Sequence, residues 1–321
     1  MRVVYLGSGE IGLPTLRFLA QTSWVELCAV ITAPDKPAGR GHRLTPCPVA
    51  ILAREIGLPL QQPKNFHSRE NLDFLRSLRP DLFIVFAFGK ILSGEALRIP
   101  ALAALNLHAS LLPRHRGASP IQSAILSGDA VTGITVMFME EELDAGEILL
   151  SKEILIDKEE TTASLTEKIS LLAPEALREA LDLLRRGEAP RMKQDPALVT
   201  WCEKIRKEDA EIRWDEPAEL IFRKVRAFNP WPVSYTWLPR PGFGKKSLML
   251  KVWRAYPGGS DIPSCLSQPV GSVVSTSHGE LAVQTGEGIL RILEVQPEGK
   301  KKMHISDFLR GYSVEVGMKL G

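Results

Sequence analysis

Val3-Val4-Tyr5-Leu6, then Leu13 to Ala20, then Leu27-Cys28-Ala29-Val30-Ile31 open the chain: an apolar, β-rich run, a helical stretch and a second apolar run. The alternation resumes with a helical Val49 to Ile56, the run Asp81-Leu82-Phe83-Ile84-Val85-Phe86, and Ala104-Leu105-Asn106-Leu107. Alternating β and α units of this length predict an α/β fold, with a parallel, doubly wound sheet and helices on both faces. Ligands of such sheets sit beyond the carboxyl ends of the strands. Asn106 and His108 fall where one strand is expected to end, which favours a site over core.

The 321 residues leave room for two domains, and 44% hydrophobic with 24% charged residues is ordinary globular composition. No apolar run approaches the roughly 20 residues needed to cross a bilayer, and Glu10 interrupts the N-terminal stretch that a secretion signal would need. A soluble, cytoplasmic protein is expected. Cys28, Cys47, Cys202 and Cys265 are scattered and lack metal-ligand spacing, so they read as free thiols. Net charge is +2, but residues 1–190 carry 20 Lys and Arg against 23 Asp and Glu, whereas 191–321 carry 20 against 15. A basic C-terminal part suits either a solvated face or a nucleic-acid surface.

Ile134 to Met139 reads as another strand, with Ile148 to Ile156 as its partner beyond a turn at Asp144. A leucine-rich helix from Ser164 to Arg186 follows, which Pro174 could kink, and Gly187-Glu188-Ala189-Pro190 breaks it. The expected division is a catalytic domain over 1–187, a linker over 188–206 and a C-terminal domain over 207–321. In the last, a helix from Pro217 to Arg226 precedes five short strands near 234–238, 248–253, 271–274, 280–284 and 289–295. That pattern predicts a small β-barrel, of which the OB type is common among nucleic-acid binders.

Gly7-Ser8-Gly9-Glu10-Ile11-Gly12 matches the dinucleotide fingerprint in spacing and context. A nicotinamide enzyme also needs an acidic residue at the end of the second strand, but that strand ends Val30-Ile31-Thr32. The glycines are therefore expected only to permit a tight turn and close packing.

The richest run is Asn106-Leu107-His108-Ala109-Ser110-Leu111-Leu112-Pro113-Arg114-His115-Arg116-Gly117. An amide and an imidazole two residues apart share one side of a strand end, and Leu143-Asp144-Ala145-Gly146-Glu147 offers a carboxylate on a turn that could orient the imidazole. This set suits acyl transfer. A fixed amide N–H can meet the developing oxyanion of a tetrahedral centre without the reorganisation that water requires. The imidazole can donate a second hydrogen bond or handle a proton, and Asp144 can orient it or take a proton from the attacking group through water.

These two motifs resemble the signature of enzymes that transfer a formyl group from 10-formyltetrahydrofolate. Ala33-Pro34-Asp35-Lys36-Pro37-Ala38-Gly39-Arg40-Gly41, Arg226-Ala227-Phe228-Asn229-Pro230-Trp231-Pro232 and Gln296-Pro297-Glu298-Gly299-Lys300-Lys301 are similar to the branch acting on methionyl-tRNA. The resemblance runs from residue 1 to about 310. It implies a Rossmann-like catalytic domain and an OB-type barrel that helps hold initiator methionyl-tRNA. It implies 10-formyltetrahydrofolate as the formyl-donor cosubstrate, no permanently bound cofactor, no metal, no DNA or membrane partner, and translation initiation as the setting. Asn106, His108 and Asp144 become the catalytic set, and the pairing of the last two rests on the resemblance.

The resemblance also places Ser110, Leu111, Leu112 and Pro113 along the folate, with Phe88, Gly89 and residues 139–144 walling the pterin pocket. The loop Pro34 to Leu44 reads as too polar and broken for regular structure, and in the family it enters the acceptor end of the tRNA. Lys36, Arg40, His42 and Arg43 are its contact candidates. Lys204 and Lys207, with lysines 245, 246, 251 and 300–302, would attract the phosphate backbone. Phe88 stands where the family usually has Tyr, and the Gly7 to Gly12 run, Ser119 and Ala145-Gly146-Glu147 also depart from its pattern. The alternatives are a formyltransferase acting on a small-molecule amine, such as a purine precursor or an amino sugar, and a non-catalytic RNA-binding protein. A monomer is expected.

Overall fold

The first apolar run forms β1 (Arg2–Gly7) inside a sheet, with strands on both sides, which is why Val3, Val4, Tyr5 and Leu6 are all fully buried. The structure is a computed structural model, described over residues 1–38, 43–239, 247–258, 268–277 and 279–321. It divides into two units: Met1–Pro120, Ala130–Ile156 and Leu165–Glu203 make the first, and Ile121–Asp129, Asp157–Ser164 and Lys204–Gly321 the second.

In the first unit β2 (Glu26–Ile31), β3 (Lys36–Ala38), β4 (Arg43–Thr45), β5 (Leu60–Gln61), β6 (Leu82–Phe86) and β7 (Ala103–His108) follow β1. Then come β8 (Arg116–Gly117), β9 (Val131–Phe138), β10 (Ile148–Leu155) and β11 (Trp201–Cys202). The main sheet has the order β10-β9-β7-β6-β1-β2-β5. The pairs β1–β2, β1–β6, β6–β7 and β2–β5 are parallel, as expected, but β9 runs antiparallel to both neighbours. The sheet is therefore mixed rather than wholly parallel. A turn over 139–147 joins β9 to β10, and so short a connection allows a hairpin but not a parallel crossover.

Helices α1 (Leu13–Gln21), α2 (Pro48–Glu55), α3 (Arg69–Ser77), α4 (Gly94–Leu97), α5 (Pro120–Ser127) and α6 (Thr162–Arg186) occupy the connections, with α5 from Ile121 on and the first residues of α6 assigned to the second unit. Ser68 caps α3 by accepting from the Asn71 amide at 3.3 Å, and α6 continues through Pro174 as one element. The loop expected to lack regular structure carries the antiparallel pair β3–β4, because a ladder uses backbone groups that polar side chains do not block. Asp35 ties its base, accepting from Gln62 Nε2 at 2.8 Å and from Arg54 at 3.4 Å. Arg40 and His42 lie outside the described residues.

The glycine run after β1 is a packing device. A Cβ on Gly7 would lie 2.6 Å from the Phe86 carbonyl oxygen, and one on Gly12 would lie 2.1 Å from the Tyr5 hydroxyl. That hydroxyl is buried and donates to the Gly12 carbonyl at 3.2 Å, and burial pushes its pKa well above the usual tyrosine range. Gly12→Ala should therefore destabilise the protein by about 1–3 kcal/mol in a denaturant titration. Tyr5→Phe, which removes the atom the methyl group meets, should recover part of that loss, and additive losses would refute this packing account.

The second unit contains α7 (Ala218–Ala227), β12 (Tyr235–Leu238), β13 (Leu248–Pro257), β14 (Val273–Ser275), β15 (Leu281–Gln284), β16 (Ile289–Pro297), β17 (Met303–His304) and α8 (Ile305–Gly311). The five expected strands are present, in the antiparallel order β12-β13-β16-β15-β14, with β17 added beside β16. Register shifts near Arg254 bend β13, so the sheet curls as a half-barrel around one core. Leu250, Val252, Leu281, Val283, Leu290 and Ile292 point into that core, closed by Ile221 and Phe222 of α7 and Ile305 and Phe308 of α8. The buried Trp214 indole keeps its N–H satisfied by Thr236 Oγ1 at 3.0 Å.

Candidate active site

Strand β7 ends between β6 and β9, and its two-residue period puts Asn106 and His108 on one face. Asn106 is half-buried, and its side-chain amide has no protein partner among the described residues. His108 is buried. Its Nε2 lies 2.9 Å from the His115 carbonyl oxygen, which can only accept, so Nε2 carries the proton there. Its Nδ1 lies 3.6 Å from Asp144 Oδ1. The carboxylate expected from 36 positions away in sequence thus faces the imidazole, at ion-pair range and slightly beyond a hydrogen bond. Catalytic contacts are often this loose before substrate arrives.

Asp144 is itself held. Its Oδ2 accepts from the Gly117 amide at 2.9 Å, and its backbone sits at φ 52°, a left-handed conformation that Asp tolerates better than most residues. Two residues on, a Cβ on Gly146 would lie 1.7 Å from the Phe138 carbonyl oxygen, so the turn closes only around glycine.

The segment between these groups is pinned from β9. Thr135 Oγ1 donates to the Ser110 carbonyl at 2.7 Å and accepts from the Leu112 amide at 3.1 Å, and Ser110 Oγ donates to the Arg114 carbonyl at 2.7 Å. Ser110 is fully buried, Leu112 packs with Met137 and Ile148, and Leu111 and Pro113 are half-buried, with the Leu112–Pro113 peptide cis. Phe88 is buried edge-on against Phe66, with ring centroids 5.3 Å apart. Gly89 is exposed at φ 71°, with open space where a Cβ would be.

Residues 188–206, expected as a linker, belong to the first unit as far as Glu203. Met192 and Ile148 exchange backbone hydrogen bonds of 2.8 and 2.9 Å, and β11 pairs with β8. Thr200 receives the His115 amide on Oγ1 at 2.8 Å and the Arg116 amide on its carbonyl at 2.9 Å. Gln194 reaches both the Asp144 turn and Arg116. Sequence reading missed these residues because their contacts span 44 to 87 positions and follow no periodicity. Lys36, Lys204 and Lys207 are exposed, the first on β3 and the other two at the start of the second unit, and Arg43 lies on β4.

A family model described as formyl transferase matches residues 1–181, and one for the formyl transferase C-terminal domain matches 204–313. The chain belongs to the formyl transferase family. Methionyl-tRNA formyltransferases of Moorella thermoacetica and Methylococcus capsulatus are 40% and 42% identical to it, each over all of this chain and 99% or 100% of their own length. Among formyl transferases the chain thus falls, end to end, with the methionyl-tRNA branch. Two solved structures share the fold. The sugar 3N-formyl transferase WlaRD, solved in the presence of dTDP and 5-N-formyl-THF, is 14% identical with a TM-score of 0.64, covering 94% of this chain and 99% of its own. HypX from Aquifex aeolicus in complex with tetrahydrofolic acid is 18% identical with a TM-score of 0.59, covering 96% of this chain and 47% of its own.

Proposed function

We propose that this protein transfers the formyl group of 10-formyltetrahydrofolate to the free amino group of methionine carried by initiator tRNA, supplying formylated starter for translation. The observation that carries the reading is the meeting of Asn106, His108 and Asp144 at one strand end, in a chain that matches methionyl-tRNA formyltransferases along its whole length.

The methionyl nitrogen attacks the formyl carbon, and the carbonyl electrons move onto oxygen. The Asn106 amide, not committed to a partner among the described residues, donates to that oxyanion. The nitrogen then carries a surplus proton, which Asp144 accepts directly or through a water. His108, held between Asp144 and the His115 carbonyl, keeps the carboxylate aimed at the reacting centre and can take the proton from it at Nδ1. Collapse breaks the bond to N10 of the folate, which takes up a proton as tetrahydrofolate leaves. No step needs a metal, and the folate is consumed as a cosubstrate instead of remaining bound. Ser110 to Pro113, together with Phe88 and Gly89, form the donor's side of the site.

A tRNA extends far beyond the reacting groups at one strand end. Lys36, Arg40, His42 and Arg43 on the β3–β4 hairpin and its connection, with Lys204 and Lys207, supply contacts to the tRNA backbone. Replacing Lys36, Arg40 and Arg43 together by alanine should raise the KM for tRNA and flatten its salt dependence, leaving the KM for folate unchanged. Steady-state formylation at several salt concentrations reads both. A variant with unaltered salt dependence would remove the hairpin from the tRNA interface.

A further inference from the structure

We propose that Gln194 is a positioning residue for this reaction: its side-chain amide sets the turn that carries Asp144 and ties it to the strand that carries Arg116 and Gly117. The inference rests on the catalytic role assigned above to Asp144. Gln194 Nε2 donates to the Asp144 carbonyl and to the Gly146 carbonyl, each at 2.8 Å, while its Oε1 accepts from Arg116 Nε at 3.0 Å and Nη2 at 2.8 Å. The orientation of the amide is not arbitrary. Arginine offers only donors and the two carbonyls only acceptors, so just one assignment of oxygen and nitrogen satisfies all four bonds.

The same chemistry explains why the position needs glutamine. Glutamate could still receive Arg116 but would turn oxygen towards two carbonyl oxygens. Methionine, of similar length, could serve neither side, and lysine could not accept from Arg116. Asp144 takes up a left-handed backbone conformation at φ 52°, and the carbonyls on either side of Ala145 need donors to hold the turn in that shape. Gln194 supplies both. Asp144 Oδ2 is meanwhile held by the Gly117 amide, and Gly117 is paired with Cys202, eight residues beyond Gln194. Backbone from 192 to 202 thus braces both walls of the His108–Asp144 pair, and the Gln194 side chain touches both.

The expected effect is on turnover, since Gln194 has no bond to His108 or Asn106 and acts through the Asp144 backbone. Formyl transfer from 10-formyltetrahydrofolate to methionyl initiator tRNA should be measured for the wild type, Q194E, Q194M, D144N and the double variant Q194E/D144N, with a melting curve for each. Q194E retains the acceptor for Arg116, so its melting curve should stay close to the wild type. Its kcat should fall about 10- to 100-fold, as for a misplaced catalytic group, with the KM for folate unchanged. In the D144N background the same change should cost less than about threefold, because the group it positions is already lost.

Full multiplicative losses in the double variant would overturn the inference, since Gln194 would then act independently of Asp144. Wild-type kcat in both Q194E and Q194M would overturn it as well. If both variants fail to fold, Gln194 is a brace of the fold and the inference is wrong. Unchanged activity in D144N would instead sink the catalytic reading of Asp144 and take the inference with it.

Discussion

Replacing Asn106 by alanine should lower the kcat of formyl transfer by roughly 10²–10³-fold, the usual cost of losing one oxyanion donor. The amide is half-buried at the end of β7 and spends no hydrogen bond on the protein among the described residues, so its removal should leave no buried group unsatisfied. Stability should therefore stay within about 0.5 kcal/mol of the wild type, as for substitutions away from packed features. The KM for tRNA should barely move, because the lost interaction is made with the oxyanion and not with the bound acceptor. Asn106→Asp should be at least as damaging, since it presents an acceptor, and at neutral pH a charge, where negative charge develops. Single-turnover kinetics beside a melting curve separate these effects. A loss under tenfold, or one that follows the melting curve, would remove Asn106 from the oxyanion role.

Gly146→Ala should damage both fold and catalysis. The new methyl carbon would lie 1.7 Å from the Phe138 carbonyl oxygen and 2.9 Å from its carbon, and backbone cannot swing aside as a flexible side chain can. Phe138 also donates its amide to the Glu147 carbonyl at 2.9 Å, so the clash falls on the closing pair of the β9–β10 hairpin. Opening that pair should cost about 1–3 kcal/mol, in the range for an overpacked site. It also displaces Asp144, two residues away, and a shift near 1 Å in a catalytic group costs on the order of 10²-fold in rate. Gly311→Ala is the control. Gly311 stands at the end of α8 with open space where a Cβ would be, and both activity and stability should be retained. Full activity in Gly146→Ala would show that the Asp144 turn tolerates displacement, against the mechanism above.

The runs that became β1, β2, β6 and β7 were legible because buried parallel strands leave continuous apolar sequence, and β12 to β16 of the second unit because turn residues separate them. The place of Asn106 and His108 followed from the same reading, since a strand's end and its two-residue period are local properties. The partnership of His108 with Asp144 was not local, and only the resemblance to formyltransferases pointed to it before the structure brought them within 3.6 Å. Gln194 and Thr200 were illegible altogether. They lie in a polar, Pro-containing stretch that looks like a connector, and their importance resides in bonds to carbonyls and amides far away in sequence. The antiparallel course of β9 escaped because an apolar run does not encode its direction. The β3–β4 pairing escaped because polar composition was read as absence of structure, although the ladder is made by the backbone.

The most direct test of the central claim is formylation of methionyl initiator tRNA, compared with methionyl elongator tRNA and with a free amino sugar, using 10-formyltetrahydrofolate as donor. The expected result is formyl-methionyl-tRNA formed one-for-one with tetrahydrofolate, with a kcat/KM for the initiator well above those for the other two acceptors. Formyl transfer to the small amine in preference to the tRNA, or folate turnover without formylated tRNA, would contradict it.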